Sequence, residues 1–170
     1  MSLFLVRHGR PSIDPTTPAA TWDLDPTAYD DVWALRERLP IGGGWYSSPE
    51  PKAVQTAQLL TDGPVGIIDD LREVSRAAGF LDDFVAIVRQ GFARPDAPAV
   101  DGWEAFAVCR ARVVAAVRPV LSTHALEDIV LVGHGTAWTL LVAELTGTAP
   151  DVERWAGLGL PDVIVIESWR

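Results

Sequence analysis

Cysteine, long apolar runs and positive charge are all scarce in this sequence. The single cysteine, Cys109, excludes an intramolecular disulfide and a metal cluster built on cysteines. It falls within a helical pattern, so we predict a small core residue there. The sequence has no run of about 18 apolar residues, and no membrane span is expected.

Basic residues are outnumbered, with 14 against 23 acidic ones and a net charge of −9. This balance argues against nucleic acid or an anionic membrane as a partner. It also means that any anion site must be local, because the field of the whole protein repels a phosphorylated substrate. The first residues lack the pattern of a signal peptide, so the expected location is cytoplasmic. The length predicts a single domain over residues 1–170. Monomer and homodimer both stay open as its oligomeric state.

Two short strings stand out among the residues that are present. Residues 3–9 read LFLVRHG and residues 129–135 read IVLVGHG. Each is a run of four apolar residues that leads to a His and a Gly, which is typical of a buried strand in a parallel sheet. Ligands of such sheets bind beyond the carboxyl ends of the strands. We therefore expect His8 and His134 to meet at the edge where chemistry takes place.

The rest of the chain alternates predicted strands with predicted helices. This alternation indicates an α/β fold, a three-layer sandwich whose central, mostly parallel sheet is flanked by helices. Gly147 is placed to end the last long helix. Strands are expected at 3–6, 65–68, 129–132 and 163–166, and residues 41–46 are a Gly-rich entry into a short second strand that ends at 47–48. Helices are expected within 27–39, 49–60, 81–92, 103–120 and 138–145.

Arg7, His8 and Gly9 form the first group with chemical potential. Arginine offers a planar fork of donors that suits phosphate. Glycine lets the backbone and a ligand approach closely. A histidine is a competent nucleophile toward phosphorus when its other ring nitrogen is held by an acceptor.

Three further groups follow along the chain. Ser47 and Glu50 match a capping box, and Lys52 then lies in the first turn of a helix, where a cation opposes the helix dipole unless it serves an anion. Glu73, just past the third strand, is a candidate general acid. His134 can add positive charge at a transferred phosphoryl group. His124, between a helix and a charged turn, is interpreted as a surface residue.

Taken together, these groups resemble the histidine phosphatase superfamily, the phosphoglycerate mutase-like proteins, over roughly residues 3–147. The resemblance implies that His8 is the nucleophile and that Glu73 protonates the leaving group and then helps to activate water. It implies no metal and no organic cofactor. The phosphate-binding residues that it implies are Arg7, Gly9, Lys52, His134 and Thr136.

The sequence departs from the family pattern in three places. Lys52 stands where the family usually has Arg, so the bidentate fork is lost unless Arg72, Arg76 or Arg94 compensates. Asp14 occupies an Asn-like position, where it would repel phosphate. The Gly-x-Trp-Glu-Gly stretch that is common after the acid is replaced by residues 74–79. The last two departures, with the short chain, argue against a glycolytic mutase.

The expected function is therefore a metal-independent phosphatase that hydrolyses small phosphomonoesters through a phosphohistidine on His8. Its partner would be a small phosphorylated substrate. Two alternatives stay open. The small size of the chain also suits a phosphohistidine-protein phosphatase. Lys52 and Asp14 suit a catalytically weak or inactive member that acts as a binding or regulatory module.

Overall fold

A five-stranded sheet forms the centre of the computed structural model, which describes residues 1–76 and 81–169. Residues 77–79, the end of the divergent 74–79 stretch, lie outside the described residues. The strand order is β3-β2-β4-β1-β5. Four strands run parallel, and β5 pairs antiparallel with β1. The strands are β1 (Leu3–Arg7), β2 (Gly44–Ser47), β3 (Gly66–Ile67), β4 (Ile129–Gly133) and β5 (Asp162–Ile166).

Apolar side chains alternate between the two faces of this sheet, as the two-residue repeat of a strand requires. Leu3 and Leu5 face one cluster of buried residues, whereas Val6 faces a second cluster on the other side. Ile129 and Val130 divide between the same two clusters. Because both faces are buried, the central strands are apolar at nearly every position.

Helices cover both faces, which confirms the predicted three-layer α/β fold. Helices α1 and α2 pack with the Val6 face, and α4 and α5 pack with the Leu3 face, joined there by α3 and α6. None of the helices in the described residues is long and apolar enough to cross a membrane. The helices are α1 (Tyr29–Ala34), α2 (Pro51–Leu60), α3 (Phe84–Ala93), α4 (Phe106–Thr123), α5 (Gly135–Thr146) and α6 (Val152–Gly157).

The cluster on the Leu3 face holds the largest buried side chains. Phe106 and Trp138 have no exposed surface, and the Trp138 indole N–H donates to the Val6 carbonyl over 2.8 Å. Cys109 is also fully buried, which confirms its prediction as a core residue, and burial raises the pKa of its thiol. Gly147 ends α5 in the left-handed conformation, as predicted.

Local structure differs from the predictions in a helix and a strand. The helix predicted over 27–39 is divided into 3-10 turns at Pro26–Ala28 and Leu35–Arg38 around the short α1. A 3-10 geometry is frequent at helix ends, where the last carbonyls take i+3 partners. The strand predicted over 65–68 is reduced to Gly66–Ile67, the two residues that pair with Tyr46 and Ser47 of β2.

The capping box predicted from Ser47 and Glu50 is wrong. The hydroxyl of Ser47 donates to the Ser48 carbonyl, and α2 begins after Glu50, whose side chain makes no capping bond. Pro51 occupies the first turn instead, where its missing N–H has no partner to lose. The Glu50 side chain is thereby free to turn toward the carboxyl edge of the sheet.

Candidate active site

The register of the sheet brings His8 and His134 together. Arg7, the last residue of β1, is the register partner of Gly133, the last residue of β4. The pairing extends one step further, since the His8 N–H donates to the Gly133 carbonyl over 2.9 Å. The two imidazole rings lie 5.2 Å apart between centroids, edge to face.

His8 has one ring nitrogen fixed and the other available. Its Nδ1 lies 2.7 Å from the carbonyl oxygen of Gly9. A carbonyl only accepts, so the proton is on Nδ1 and the lone pair is on Nε2. Burial, with His134 and Lys52 nearby, holds the pKa of His8 well below its ordinary value. His8 is therefore a neutral imidazole whose Nε2 is nucleophilic at neutral pH.

Gly9 is held by protein contacts on its own account. Its N–H donates to the hydroxyl of Thr56 over 3.0 Å. A Cβ at this position would lie 2.6 Å from a methyl of Val32 and 2.7 Å from one of Leu24. The close approach that requires glycine here is packing against neighbouring side chains, a reason that the sequence did not reveal.

His134 is buried and neutral. Burial is the main cause that lowers its pKa to about 3. Its Nε2 lies 2.7 Å from the hydroxyl oxygen of Ser48, and that oxygen already accepts the Glu50 N–H. A hydroxyl both donates and accepts, so the contact suits either tautomer of the ring; when Ser48 donates to Nε2, the ring proton is on Nδ1. Within the part of the chain that the structure describes, this buried Nδ1 has no hydrogen-bond partner.

Arg7 supplies a second buried donor beside the first turn of α5. One terminal nitrogen donates to the Leu158 carbonyl over 2.7 Å. Its Nε is buried and has no partner among the described residues. A Cβ on Gly135 would lie 3.2 Å from that Nε, so a side chain there would crowd the guanidinium. An unpaired buried donor carries a desolvation cost that a bound anion removes.

Lys52 is the second cation at the site, and it is already paired. Its Nζ donates to the Glu50 carboxylate at 2.5 Å and to the Ala19 carbonyl at 2.6 Å. Both side chains of the ion pair are more than nine-tenths buried. The other Glu50 oxygen accepts the Glu73 N–H at 2.9 Å and lies 3.5 Å from His134 Nε2.

The Glu73 carboxylate lies at the N-terminus of α5. It accepts the Thr136 N–H at 3.1 Å and the Ala137 N–H at 3.0 Å, together with the Val74 N–H at 3.0 Å. The free N–H groups and the dipole of a helix N-terminus favour an anion at this point. Thr136, predicted as a phosphate ligand, thus offers its amide to the candidate acid in this structure.

Comparison with known proteins identifies the family. The family model described as the histidine phosphatase superfamily (branch 1) matches residues 3–169. The chain belongs to this superfamily. A search of curated protein sequences gave no match.

Several solved structures share the fold of this histidine phosphatase superfamily member. YhfR from Bacillus stearothermophilus is 21% identical over 99% of this chain and 94% of its own, with a TM-score of 0.80. A mycobacterial glucosyl-3-phosphoglycerate phosphatase with bound VO3 is 21% identical over 99% of this chain and 96% of its own, with a TM-score of 0.77. A phosphoserine phosphatase from Entamoeba histolytica, in complex with phosphoserine, is 17% identical over 96% of this chain and 89% of its own, with a TM-score of 0.75.

The three arginines that could compensate for lysine at position 52 lie in different surroundings. Arg76 reaches the site, with a terminal nitrogen 3.7 Å from the Glu73 carboxylate and its guanidinium over the rings of Phe84 and Trp103. Arg72 pairs with Asp70 in a partly exposed position, and Arg94 is exposed. Only Arg76 of the three adds its charge to the site.

Two residues of the sequence analysis lie apart from these groups. Asp14 is bound within its own loop, because its carboxylate accepts both the N–H and the hydroxyl of Thr16. His124, predicted on the surface, is instead partly buried, and its Nε2 lies 2.7 Å from the hydroxyl of Tyr46. His124 approaches Gly44 at the start of β2. It therefore lies at the amino ends of the parallel strands, opposite to the carboxyl ends where His8 lies.

Sequence reasoning missed Glu50 and Ser48 at the site. A Ser followed three residues later by a Glu is the usual cap pattern, and it predicts that Glu50 caps the helix. No local pattern separates a capping glutamate from one that turns inward to a lysine two residues away. In residues 1–76 and 81–169 no group of three or more His, Cys, Asp or Glu side chains forms a candidate metal site.

Proposed function

We propose that this protein is a phosphatase that hydrolyses small phosphomonoesters, without a metal, through a phosphohistidine on His8. The observation that carries the proposal is the state of the His8 ring. Its Nδ1 proton is held by the Gly9 carbonyl, and its Nε2 is left as a neutral nucleophile beside His134. A nucleophilic histidine needs this combination of a fixed tautomer and a free lone pair.

In the first step, Nε2 of His8 attacks phosphorus and the bond to the ester oxygen breaks. A proton passes from the Glu73 carboxyl to the leaving oxygen, so an alcohol departs. In the second step, water attacks the phosphohistidine and its proton passes to the Glu73 carboxylate. The N–P bond breaks, inorganic phosphate leaves and His8 is again neutral.

The charges around His8 suit a transferred phosphoryl group. Arg7 and Arg76 supply positive charge. Arg7 Nε, which has no partner among the described residues, is a donor for a phosphoryl oxygen, and His134 Nδ1 is a second donor in the tautomer whose Nε2 accepts from Ser48. Preorganised donors of this kind stabilise the charge that develops in the transition state. We propose Gly9 and Thr136 as backbone contributors at the two strand ends, Thr136 after Glu73 releases its amide.

The similar structures support a small organic phosphate ester as the substrate class. Their names specify glucosyl-3-phosphoglycerate and phosphoserine phosphatases. A second candidate function is favoured by one observation, the buried pairing of Lys52 with Glu50. A carboxylate that neutralises this cation weakens phosphate binding, which suits a slow or inactive member that acts as a binding or regulatory module.

The decisive experiment compares p-nitrophenyl phosphate hydrolysis by the wild type, His8→Ala and His124→Ala, with a chelator present. His124→Ala is the matched control because this histidine lies at the opposite edge of the sheet. We expect His8→Ala to abolish turnover and His124→Ala to retain it. Turnover that survives in His8→Ala would overturn the proposal. An inert wild type that still binds inorganic phosphate would favour the binding module.

A further inference from the structure

Arg112 makes an unusually complete set of contacts with the segment that carries Glu73. Its side chain, on α4, is 11% exposed. Nη1 donates to the carbonyls of Asp70 and Arg72, each over 2.8 Å. Nη2 donates to the Glu73 carbonyl over 2.8 Å. The guanidinium therefore binds three carbonyls of one short segment.

The remaining donors of Arg112 bind Glu104. Nε donates to one carboxylate oxygen over 2.8 Å and Nη2 to the other over 2.7 Å, a bidentate pair. All five guanidinium hydrogens thus have an oxygen acceptor. Glu104 in turn accepts the Ser75 N–H at 3.0 Å, and its own N–H donates to the Ser75 carbonyl at 2.8 Å.

This clamp, Arg112 with Glu104, acts where regular structure ends. The 3-10 turn at Asp69–Leu71 is followed by residues 72–76, which belong to no helix or strand. Without a ladder of backbone bonds, such a segment needs side chains to satisfy and fix its peptide groups. Arg112 and Glu104 provide that support from α4 and the residues that precede it.

The contacts fix both peptide planes that flank the Glu73 Cα. In the first plane, the Arg72 carbonyl binds Arg112 and the Glu73 N–H binds Glu50. In the second, the Glu73 carbonyl binds Arg112 and the Val74 N–H binds the Glu73 carboxylate itself. With both planes held, the backbone dihedrals at Glu73 are set, and so is the direction of its side chain toward α5.

We propose that the Arg112–Glu104 clamp is a positioning device for the general acid. Among the described residues, Arg112 makes no hydrogen bond to the candidate phosphate ligands, and its hydrogen bonds reach the segment that carries Glu73. The inference rests on the proposed function, in which Glu73 protonates the leaving oxygen. A misplaced acid slows the reaction of esters with poor leaving groups, whereas an ester with a good leaving group needs little protonation.

The test compares kcat/KM for phenyl phosphate, which has the poorer leaving group, with kcat/KM for p-nitrophenyl phosphate. For Arg112→Met we expect phenyl phosphate to lose about ten-fold more than p-nitrophenyl phosphate, part of the ~10²–10⁴-fold that a general acid contributes. Glu73→Gln should likewise reduce kcat/KM more for phenyl phosphate than for p-nitrophenyl phosphate. Adding Arg112→Met to Glu73→Gln should not widen this difference between the two substrates. Arg112→Lys, which keeps the charge without the fork, should lie between.

Two further variants make the result interpretable. Arg110→Met removes an exposed arginine of the same helix, whose partner is Glu144 at 3.8 Å, and should leave the ratio unchanged. If Arg112→Met does not fold, Glu104→Gln decides, because it weakens the clamp and keeps the side-chain shape. Equal losses for both substrates in a folded clamp variant would overturn the positioning role alone. A wild type inert toward both substrates would instead overturn the proposed function and this inference with it.

Discussion

The two buried histidines predict a steep loss of stability in mild acid. His134 titrates near its ordinary value of 6.5 in the unfolded chain, and its pKa in the fold is lowered to about 3. Between these values the unfolded state binds one more proton than the fold. Stability is therefore complete above the unfolded pKa and falls as the pH drops below it.

The size of the effect follows from the same values. Each such histidine contributes a slope of about 1.4 kcal/mol per pH unit. For His134 alone, the free energy of unfolding should fall by about 2 kcal/mol between about pH 7 and pH 5. Burial also holds the pKa of His8 well below its ordinary value, so His8 adds a loss of the same sign. The loss from His134 alone is a sizeable share of the ~5–15 kcal/mol that holds a typical domain folded.

The assay is urea unfolding at several pH values in phosphate-free buffer, because a bound anion would stabilise the fold. His134→Gln should reduce the pH slope by about 1.4 kcal/mol per pH unit. Ser48→Ala is the matched control, since it removes the 2.7 Å partner of His134 without removing a titrating group. It should lower stability by the same amount at every pH. A His134→Gln protein with the full wild-type slope would refute the reasoning.

Three further predictions concern packing and the buried ion pair, and urea unfolding checks each. Lys52→Met should lower the free energy of unfolding by about 3–5 kcal/mol because it leaves a buried carboxylate unpaired. Adding Glu50→Gln should recover most of that loss, and no recovery would contradict the pairing. Phe106→Ala, at a fully buried position, should cost about 3–5 kcal/mol, and a cost near zero would mean that this core is loosely packed. Gly133→Ala would place a Cβ 2.5 Å from the Trp138 ring, so we expect a loss of about 1–3 kcal/mol, and a neutral result would show that the ring yields.

The adjacency of His8 and His134 could be predicted because it depends on strand order at one edge. Two buried strands that each end in a histidine place both rings at the carboxyl edge of any parallel sheet that pairs them. The structure pairs β1 directly with β4, in a register that matches Arg7 with Gly133. The strand pattern could also be predicted, since burial on both faces leaves continuous apolar runs.

The contacts that complete the site could not be predicted in the same way. Glu50 matches a local cap pattern, but its carboxylate instead accepts hydrogen bonds from Lys52 Nζ and the Glu73 N–H, which are tertiary contacts. Arg112 lies on a helix where an arginine is ordinarily solvated. Its partners at 70–73 are about forty residues away in sequence, and the spacing of apolar residues along one chain does not predict a contact at that separation.

The Lys52–Glu50 pair bears on the strength of the site as well as on stability. A bidentate arginine at position 52 would offer two donors to phosphate, whereas the lysine Nζ already donates to Glu50 and Ala19. A phosphoryl group must compete with both partners. We therefore expect this site to bind inorganic phosphate more weakly than the same site with Lys52→Arg, and isothermal titration of both proteins measures the difference.

The central claim is that His8 carries the phosphoryl group, and trapping the intermediate tests it most directly. The enzyme would be mixed with phosphate ester labelled on phosphorus, quenched in alkali and compared with His8→Ala by intact-protein detection of the label. We predict an acid-labile, alkali-stable label on the wild type and none on His8→Ala. Equal labelling of both proteins, or turnover by a wild type that never carries label, would contradict the account.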